Sequence, residues 1–380
     1  MLEGWRTVEL AYIAKLSMGE TLLSKSLTGD GLPVFSANTD DGPWGFTSNN
    51  RRRLRRGDIV IGARGSIGFP RRPNFDAFTC TQTTIAVEPD RDVVDSEYLH
   101  YALCAKDILG IASQQAVPML TIGSLSPLEV ALPPLDEQRR IAEVLRSVDE
   151  AIALAQAIAD QAQTVWHGLT ERLMWDRQKQ NADLARPLGN ALESSDYGVN
   201  ASLGNEPVGH AILRMGNLQD GYIDATDVKW AEIAEADAEV LALDVGDILF
   251  NRTNSRDLVG KVALVREPTD FLYASYIVRL RVNRSVADPY YLFAVMHSGR
   301  AQSQFKSIAT PGVSQSNINP TNLKKQVIPL PPLAEQQGIA AQLQSVENVR
   351  RTAVNELVTL RQIKSDLMSD LLSGRVRVPA

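Results

Sequence analysis

One segment of the chain occurs twice, and this internal repeat constrains the fold more than any other feature of the sequence. Residues 132–148 read LPPLDEQRRIAEVLRSV and residues 330–346 read LPPLAEQQGIAAQLQSV, so that 11 of 17 positions are identical at an offset of 198. A weaker echo precedes them, because GDIV at 57–60 recurs as GDIL at 246–249. Self-similarity over this distance predicts two copies of one unit, each about half of the chain.

Each copy of the repeat predicts a long helix. The prolines of LPPL hold the backbone extended and end a strand, and an acidic residue in the first turn, such as Glu137, suits the helix dipole. Beyond this start, apolar residues recur at alternating spacings of four and three, which predicts a heptad seam in each helix. The seam residues are Ile141, Leu145, Val148, Ile152, Trp166, Leu169 and Leu173 in the first helix and Ile339, Leu343, Val346, Leu357, Leu360, Leu367 and Leu371 in the second.

Two seams of this length favour pairing with each other. A lone helix cannot bury such a stripe, and pseudo-twofold symmetry between repeats favours an antiparallel pair. The alternative is two independent helices, each packed on its own domain.

The segments before the two helices predict domains of mixed structure. Short β-branched and aromatic runs punctuated by Gly, Pro, Asn and Asp are typical of strands, while 96–109 and 288–305 predict helices. We therefore expect an α+β fold in which two pseudo-repeated domains with β cores are separated by a pair of long antiparallel coiled-coil helices. The predicted boundaries are 1–131 for the first domain, 132–181 for the first helix, 182–329 for the second domain and 330–380 for the second helix.

The overall charge argues against a protein that binds nucleic acid alone. Lys and Arg number 39 against 45 Asp and Glu, giving a net charge of −6, whereas the usual footprint of a nucleic-acid binder is a basic domain. Local segments differ from this average, because the run RRRLRR occupies 51–56. Arginine side chains contact phosphates and base edges, and the alternative interpretation of this run is a solvated loop.

Several classes of protein are excluded by the motifs that the sequence lacks. The two cysteines, Cys80 and Cys104, form no CxxC unit, and the four histidines have no zinc-binding spacing. The sequence contains no phosphate-binding loop and no cluster of acid, base or nucleophile residues that would indicate an enzyme. We therefore expect no cofactor and no metal. The N-terminus has no signal-peptide pattern and no run of 18 apolar residues occurs. We therefore expect a cytoplasmic protein with no membrane partner.

At this point the motifs carry a resemblance to a known family. Twin LPPL-x-EQ openings, each starting a long heptad helix and each preceded by a domain with a GDI strand, resemble the specificity (S) subunit of type I restriction-modification enzymes. RGSIG at 64–68, YGVN at 197–200, RTNS at 252–255 and SQSNI at 314–318 also fit the family. The first repeat departs from the last of these motifs, with QQAVP at 114–118.

The resemblance implies a role in DNA recognition without catalysis. An S subunit holds two methyltransferase (M) subunits, reads a bipartite sequence in double-stranded DNA with one half-site per target recognition domain, and joins restriction (R) subunits in the nuclease complex. It also implies that residues 373–378 return toward the first domain. The candidate DNA-binding residues are Arg51, Arg52, Arg53, Arg55, Arg64, Ser66 and Arg71 in the first domain and Arg252, Thr253, Asn254, Ser255, Lys261, Ser314, Gln315 and Asn317 in the second.

Two alternatives remain open at this level. Gln315 and Asn317 are as well explained by an Asx or ST turn before a strand as by DNA contact. The whole chain can also be interpreted as a coiled-coil adaptor whose β domains bind proteins rather than DNA.

Overall fold

The computed structural model describes residues 4–37, 42–48, 52–113, 118–312 and 315–378. The chain divides into two compact units. Unit 1 comprises residues 1–156 and 355–380, and unit 2 comprises residues 157–354. Both boundaries fall inside the long helices, so that each unit contains part of each helix. The boundaries of the four predicted segments remain a prediction.

Unit 1 is built mainly from short strands that precede the first long helix. The chain runs through β1 Arg6–Glu9, β2 Ala14–Met18, β3 Leu32–Phe35, β4 Gly45–Thr47, β5 Leu54–Arg55, β6 Ile59–Gly62, β7 Pro70–Arg71, β8 Ala77–Cys80, β9 Thr84–Pro89, α1 Ser96–Cys104, α2 Ile122–Leu125 and β10 Glu129–Leu132. The helix α3 Leu135–Thr170 follows and continues into unit 2.

Unit 2 begins within α3, which passes through a π-helical turn at Glu171–Asp176 into α4 Arg177–Gln180. The strands and helices that follow are β11 Ala185–Pro187, β12 Leu192–Tyr197, β13 His210–Leu213, β14 Leu218–Gln219, β15 Tyr222–Ile223, β16 Lys229–Ala231, α5 Glu235–Leu241, β17 Ile248–Asn251, β18 Thr253–Asn254, β19 Val262–Leu264, β20 Leu272–Tyr273, β21 Ile277–Val282, α6 Pro289–His297, α7 Gly299–Ser307, β22 Thr310–Pro311, β23 Ser316–Asn317, α8 Pro320–Lys324 and β24 Val327–Pro329. The last helix, α9 Leu333–Leu372, ends in unit 1.

The two units share one topology. An antiparallel sheet of order β2-β9-β6-β7 in unit 1 corresponds to β12-β21-β17-β19 in unit 2. A second sheet contains a parallel pair in each unit, β3 with β8 and β13 with β20. A two-stranded sheet precedes each long helix, β1 with β10 and β11 with β24. The duplication in the sequence is therefore a duplication of the fold.

One predicted helix is wrong in its extent. The segment 288–305 forms two helices, α6 and α7, because Ser298 adopts an extended conformation and its hydroxyl caps α7 by accepting from the Ala301 amide. The corresponding prediction over 96–109 gives only α1, which ends at Cys104.

The glutamine of LPPL-x-EQ anchors each long helix to the preceding domain through side-chain hydrogen bonds. Gln138 is buried, accepts a hydrogen bond from the Asp95 amide at 2.8 Å and donates to the Pro133 carbonyl at 2.8 Å. Gln336 makes the same two bonds with the Asp288 amide at 3.0 Å and the Pro331 carbonyl at 2.7 Å. A buried amide must have its partners to be stable, which explains why the motif repeats.

The glutamate of the same motif joins the two long helices within each unit. In unit 1, Glu137 forms an ion pair of 2.5 Å with Arg377, which lies beyond the end of α9. In unit 2, Glu335 forms an ion pair of 2.5 Å with Arg177 of α4. The expected return of residues 373–378 to the first domain is confirmed, since Val378 also packs on the core of unit 1.

Inside each unit, the contacts between the two long helices follow an antiparallel pattern. In unit 1, Asp149 of α3 pairs with Lys364 of α9 at 2.6 Å, so a later residue of α3 meets an earlier residue of α9 than in the pair formed by Glu137. In unit 2, Trp166, Met174 and Trp175 share a hydrophobic cluster with Ile339 and Leu343. All fourteen predicted seam residues are buried or half-buried.

Both predicted β cores are present. Unit 1 buries residues of β6 and β9, together with Tyr98 and Leu99 of α1, against Ile141 and Leu145 of α3. Unit 2 buries the matching elements against Ile339 and Leu343 of α9. Within the described residues, no helix is long and apolar enough to cross a membrane.

Candidate nucleic-acid interface

The sequence candidates of unit 2 come together at one short sheet. The chain leaves the buried strand β17, and β18 then pairs antiparallel with β23, so that Thr253 lies opposite Asn317 and Asn254 lies opposite Ser316. Thr253 and Asn317 are 64 positions apart in the sequence, and the pairing of β18 with β23 brings them together. The intervening chain includes the strands β19 to β22. The strand pairing therefore assembles a polar surface from two distant motifs.

Hydrogen bonds fix the amide of Asn317 in one orientation. The Arg252 guanidinium donates to Asn317 Oδ1 at 2.9 Å, and Asn317 Nδ2 donates to Thr253 Oγ1 at 3.0 Å. Because a guanidinium has donors and no acceptor, the atom that faces it must be the amide oxygen. The Arg252 guanidinium also lies over the ring of Tyr197, 5.0 Å from its centroid.

Aromatic side chains flank this polar group. Tyr197 at the end of β12 is 50% exposed, and Tyr276, whose carbonyl accepts from the Arg252 amide at 3.0 Å, is 42% exposed. We call Tyr197, Arg252, Thr253, Tyr276 and Asn317 the unit 2 patch. Such a surface combines donors and acceptors that suit base edges with aromatic faces that suit stacking.

The same backbone bonds build an equivalent surface in unit 1. The Leu120 amide donates to the Ala63 carbonyl at 2.9 Å, as the Ile318 amide donates to the Arg252 carbonyl at 2.8 Å. The Ala63 amide donates to the Thr83 carbonyl, which matches the bond from Arg252 to Tyr276.

Strand register extends this correspondence to further positions. Met18 lies opposite Ile85 as Tyr197 lies opposite Val278, and Met119 forms an isolated β-bridge with Ser113 as Asn317 pairs with Thr310. The unit 1 patch therefore consists of Met18, Ala63, Arg64, Thr83 and Met119. Among the described residues, one polar side chain contacts the thioether of Met119, namely Arg64, whose Nε lies 3.1 Å from Sδ.

A glycine follows the first position of each patch because no side chain fits there. A Cβ on Gly19 would overlap the carbonyl oxygens of Cys80 and Thr81, and a Cβ on Gly198 would overlap those of Tyr273 and Ala274. The close approach of the two chain segments therefore requires glycine in both units.

Two of the predicted arginines are engaged within unit 1. Arg52 forms an ion pair of 2.7 Å with Glu88 and also contacts Ser17 and the Met18 carbonyl. Arg71 is buried, contacts the Ser36 carbonyl and lies over the ring of Phe35. These contacts stabilise the fold and leave the two guanidinium groups less able to reach a ligand.

The remaining candidates are distributed over the surface. Arg53, Arg55, Arg64, Ser255 and Gln315 are exposed, and Ser66 and Asn254 are half-buried. Lys261 donates to Gln219 at 3.1 Å. Arg51 and Ser314 lie outside the described residues.

A carboxylate beside the unit 2 patch is held in its charged form. Burial raises the pKa of Asp196, but hydrogen bonds from Ser194 at 2.6 Å and from Arg279 at 2.9 Å outweigh it, and the net effect lowers that pKa. The buried Arg279 therefore compensates the negative charge next to Tyr197. In the described part of the chain, no group of three His, Cys, Asp or Glu side chains is placed to hold a metal ion.

Sequence reasoning missed Met18, Thr83, Met119 and Tyr276. None of them belongs to a polar or basic motif. Alignment of the two halves at the offset of 198 places Met119 beside Asn317, and this is the signal that could have found it.

Comparison with known families agrees with the duplication. The model of the type I restriction modification DNA specificity domain matches residues 2–164 and again residues 202–362. These two matches cover most of the chain and fall on the two repeats.

Named relatives belong to the same class. A Methanocaldococcus jannaschii chain, provisionally named the MjaX specificity subunit of a type I restriction enzyme, is 35% identical over 193 residues, covering 50% of this chain and 45% of that one. The match therefore spans about half the length of that relative. The EcoKI specificity subunit of Escherichia coli K12 is 23% identical over 423 aligned residues, covering 98% of this chain and 89% of that one.

Solved structures share the fold across the whole chain. The S subunit of a type I restriction-modification system from M. genitalium has a TM-score of 0.70 at 16% identity, covering 97% of this chain and 96% of that one. A chain from a study of complex assembly and conformational transition in the type I R-M system has a TM-score of 0.53 at 16% identity, covering 97% and 98%. Likeness at this identity concerns the fold alone.

The predicted resemblance and the non-catalytic role are confirmed, since the relatives are named specificity subunits rather than catalytic ones. The chain belongs to the type I restriction-modification DNA specificity family and carries two copies of its domain.

Proposed function

We propose that this chain reads a bipartite sequence in double-stranded DNA, with one half-site for each unit, and that it docks two methyltransferase subunits. Restriction subunits join the same assembly to form the nuclease. The chain itself supplies recognition and scaffolding. The segments 1–131 and 182–329 act as the two target recognition domains, and the candidate arginine, asparagine and serine residues lie in them.

One observation carries the proposal. The same backbone hydrogen bonds build a surface patch in each unit, but the side chains on the two patches differ at every position. A scaffold that is kept while its exposed side chains change is expected of a protein that reads two different sequences.

The two long helices support a fixed gap between half-sites. Ion pairs within each unit connect the start of one helix to the end of the other, as expected of an antiparallel coiled coil. We propose that this coiled coil holds the two domains apart and thereby sets the spacing of the target.

Exposed apolar residues on the helices favour protein docking there. In unit 2, Val165 of α3 and Val349 of α9 are 38% and 51% exposed, and in unit 1 Val358 of α9 is 66% exposed. Covering these side chains with a partner would remove apolar surface from water, which is favourable. We propose that the methyltransferase subunits cover them.

The negative net charge is consistent with recognition of DNA as part of a complex with other subunits. The chain has a net charge of −6, and Arg52 and Arg71 are engaged inside unit 1, so the chain as a whole does not attract phosphates through its net charge. Most of the salt-dependent affinity for DNA then comes from the partner subunits.

The test is co-expression of the chain with the methyltransferase subunit of the same system, followed by sequencing of modified adenines in the host DNA. The proposal predicts one methylated motif made of two specific half-sites separated by a gap of constant length. A methylated motif without a gap, or methylation that does not depend on this chain, would contradict it. Binding of a protein ligand by both units without any DNA modification would favour the adaptor function instead.

A further inference from the structure

We infer that the position occupied by Asn317 in unit 2 and by Met119 in unit 1 is a base-reading position in each half-site. Asn317 reads an adenine through hydrogen bonds, and Met119 reads a thymine through its methyl group. The inference rests on the proposed function, since it assumes that the two patches face DNA.

The amide of Asn317 is held for recognition. Arg252 fixes its oxygen and Thr253 accepts from its nitrogen, so the side chain is pinned from two directions. The amide keeps one N–H and one oxygen lone pair free, since it has two of each and uses one of each. One donor beside one acceptor on a rigid amide is the pattern that matches N7 and N6 of adenine in the major groove.

Arg252 is a positioning residue and not a reader. Its guanidinium is stacked on Tyr197, bonded to Asn317 and placed 3.5 Å from the Ser275 carbonyl. It is half-buried, and these contacts hold it in the plane of the patch. A bidentate contact to guanine would require it to release Asn317.

Exposed aromatic side chains belong to the same patch as Asn317. Tyr197 and Tyr276 are both about half exposed, and Leu258 in the same loop region is 41% exposed. Their apolar faces exclude water from a base edge that reaches Asn317, and exclusion of water strengthens a hydrogen bond to the amide.

The same position in unit 1 has a different chemistry. The thioether of Met119 donates no hydrogen bond, and its sulfur lies 3.1 Å from Arg64 Nε. Met18, the counterpart of Tyr197, is 37% exposed. Two methionines present an apolar surface, and the apolar feature of base edges in the major groove is the methyl group of thymine.

The substitution Asn317→Asp separates reading from folding. The carboxylate still accepts from Arg252, and the Thr253 hydroxyl can rotate to donate to the second oxygen, so the patch keeps its contacts. What changes is the free edge, which becomes acceptor-only and matches the N4 amino group of cytosine. We expect the preferred base at one position of the second half-site to change from adenine to cytosine.

The experiment uses the complex of the full chain with its methyltransferase subunit and a DNA library in which every position of the motif is varied. Methylation of each sequence is read by sequencing. For N317D we expect methylation of sites with adenine at one position to fall about 5- to 150-fold relative to sites with cytosine there, since a bidentate pair contributes about 1–3 kcal/mol of discrimination. The first half-site is an internal control and stays unchanged.

Two further variants complete the design. Met119→Asn is expected to introduce a preference for adenine at one position of the first half-site only. Asn322→Asp, the same substitution at an exposed residue of α8 outside the unit 2 patch, is the matched control and leaves both half-sites unchanged.

The outcomes separate the inference from the proposed function. A wild-type complex that methylates no bipartite motif contradicts the proposed function. A wild-type bipartite motif that N317D leaves unchanged, weakens uniformly or alters at several positions overturns the inference alone, because a merely structural role of Asn317 gives those results.

Discussion

Units 1 and 2 are alike in their backbones and different in the side chains that their patches expose. The Ala63 and Arg252 carbonyls accept from equivalent amides, those of Leu120 and Ile318. Gly19 and Gly198 lie at equivalent points where two chain segments approach closely. On this common frame, unit 1 carries Met119 where unit 2 carries Asn317. The fold is therefore maintained by backbone hydrogen bonds and buried groups, so that the side chains of the patch can diverge without loss of the fold.

The hydrogen bonds and ion pairs that anchor the long helices differ far less between the units than the side chains of the patches do. Gln138 and Gln336 make the same bonds, and both are buried. The ion pairs of the neighbouring glutamates recur as well, but their burial differs, since Glu137 is 3% exposed and Glu335 is 31% exposed in the side chain. Stability experiments can therefore separate the features that the units share from those that distinguish them.

The largest effect is expected for the shared feature. Gln138→Ala or Gln336→Ala leaves a buried backbone amide and two carbonyls without a partner, and each is expected to lower the stability of its own unit by about 2–4 kcal/mol. Hydrogen exchange of the β6 and β17 amides measures the two units separately. Gln337→Ala, at an exposed position of α9, is the control and should change stability by less than about 0.5 kcal/mol. A large loss in only one unit would break the equivalence.

The ion pairs are expected to distinguish the units. Arg377→Ala leaves the buried Glu137 carboxylate without its cation, at a cost of about 2–3 kcal/mol, because breaking a buried pair strands a charge. Arg177→Ala exposes the half-buried Glu335 to solvent and should cost about 1 kcal/mol or less. Hydrogen exchange at Leu145 and at Leu343 reports the two effects. Equal losses would show that the difference in burial has no energetic meaning.

A smaller effect is expected from acidification. Burial is the main reason that the pKa of His100 in unit 1 is lowered to about 4, with the positive charges of Arg72 and Lys364 adding to it. The folded state therefore favours neutral His100, so stability is complete above the ordinary pKa of about 6.5 and is lost as the pH falls toward 4. Between pH 7 and pH 5 the loss in unit 1 should be about 1–2 kcal/mol.

The variant His100→Gln tests the origin of this pH dependence. Glutamine does not titrate, so the loss of unit 1 stability between pH 7 and pH 5 should shrink by most of that amount. Denaturant unfolding at the two pH values gives the comparison. An unchanged pH dependence would assign the effect to other titratable groups of unit 1.

Periodic features were predictable from the sequence. The repeat at 132–148 and 330–346 indicated the duplication, and the fourteen seam residues are buried or half-buried as their spacing predicted. These features depend on local spacing along one helix, which the sequence displays directly.

Features that depend on distant partners were not predictable. Arg252 and Asn317 were both candidates, but their contact joins residues 65 positions apart. Arg52 and Arg71 looked like free basic residues because Glu88 and the Ser36 carbonyl are brought to them only by the fold. The break between α6 and α7 was hidden because an apolar run continues up to it, and one capping serine, Ser298, ends it.

We propose that the two units are equivalent readers, each of which recognises its own half-site of the target. This proposal is tested most directly by replacing residues 182–329 with a second copy of residues 1–131 and sequencing the methylated motif that the resulting complex produces. We expect the first half-site to be retained and the second half-site to change to the sequence that residues 1–131 recognise. A motif that keeps the original second half-site would contradict the account.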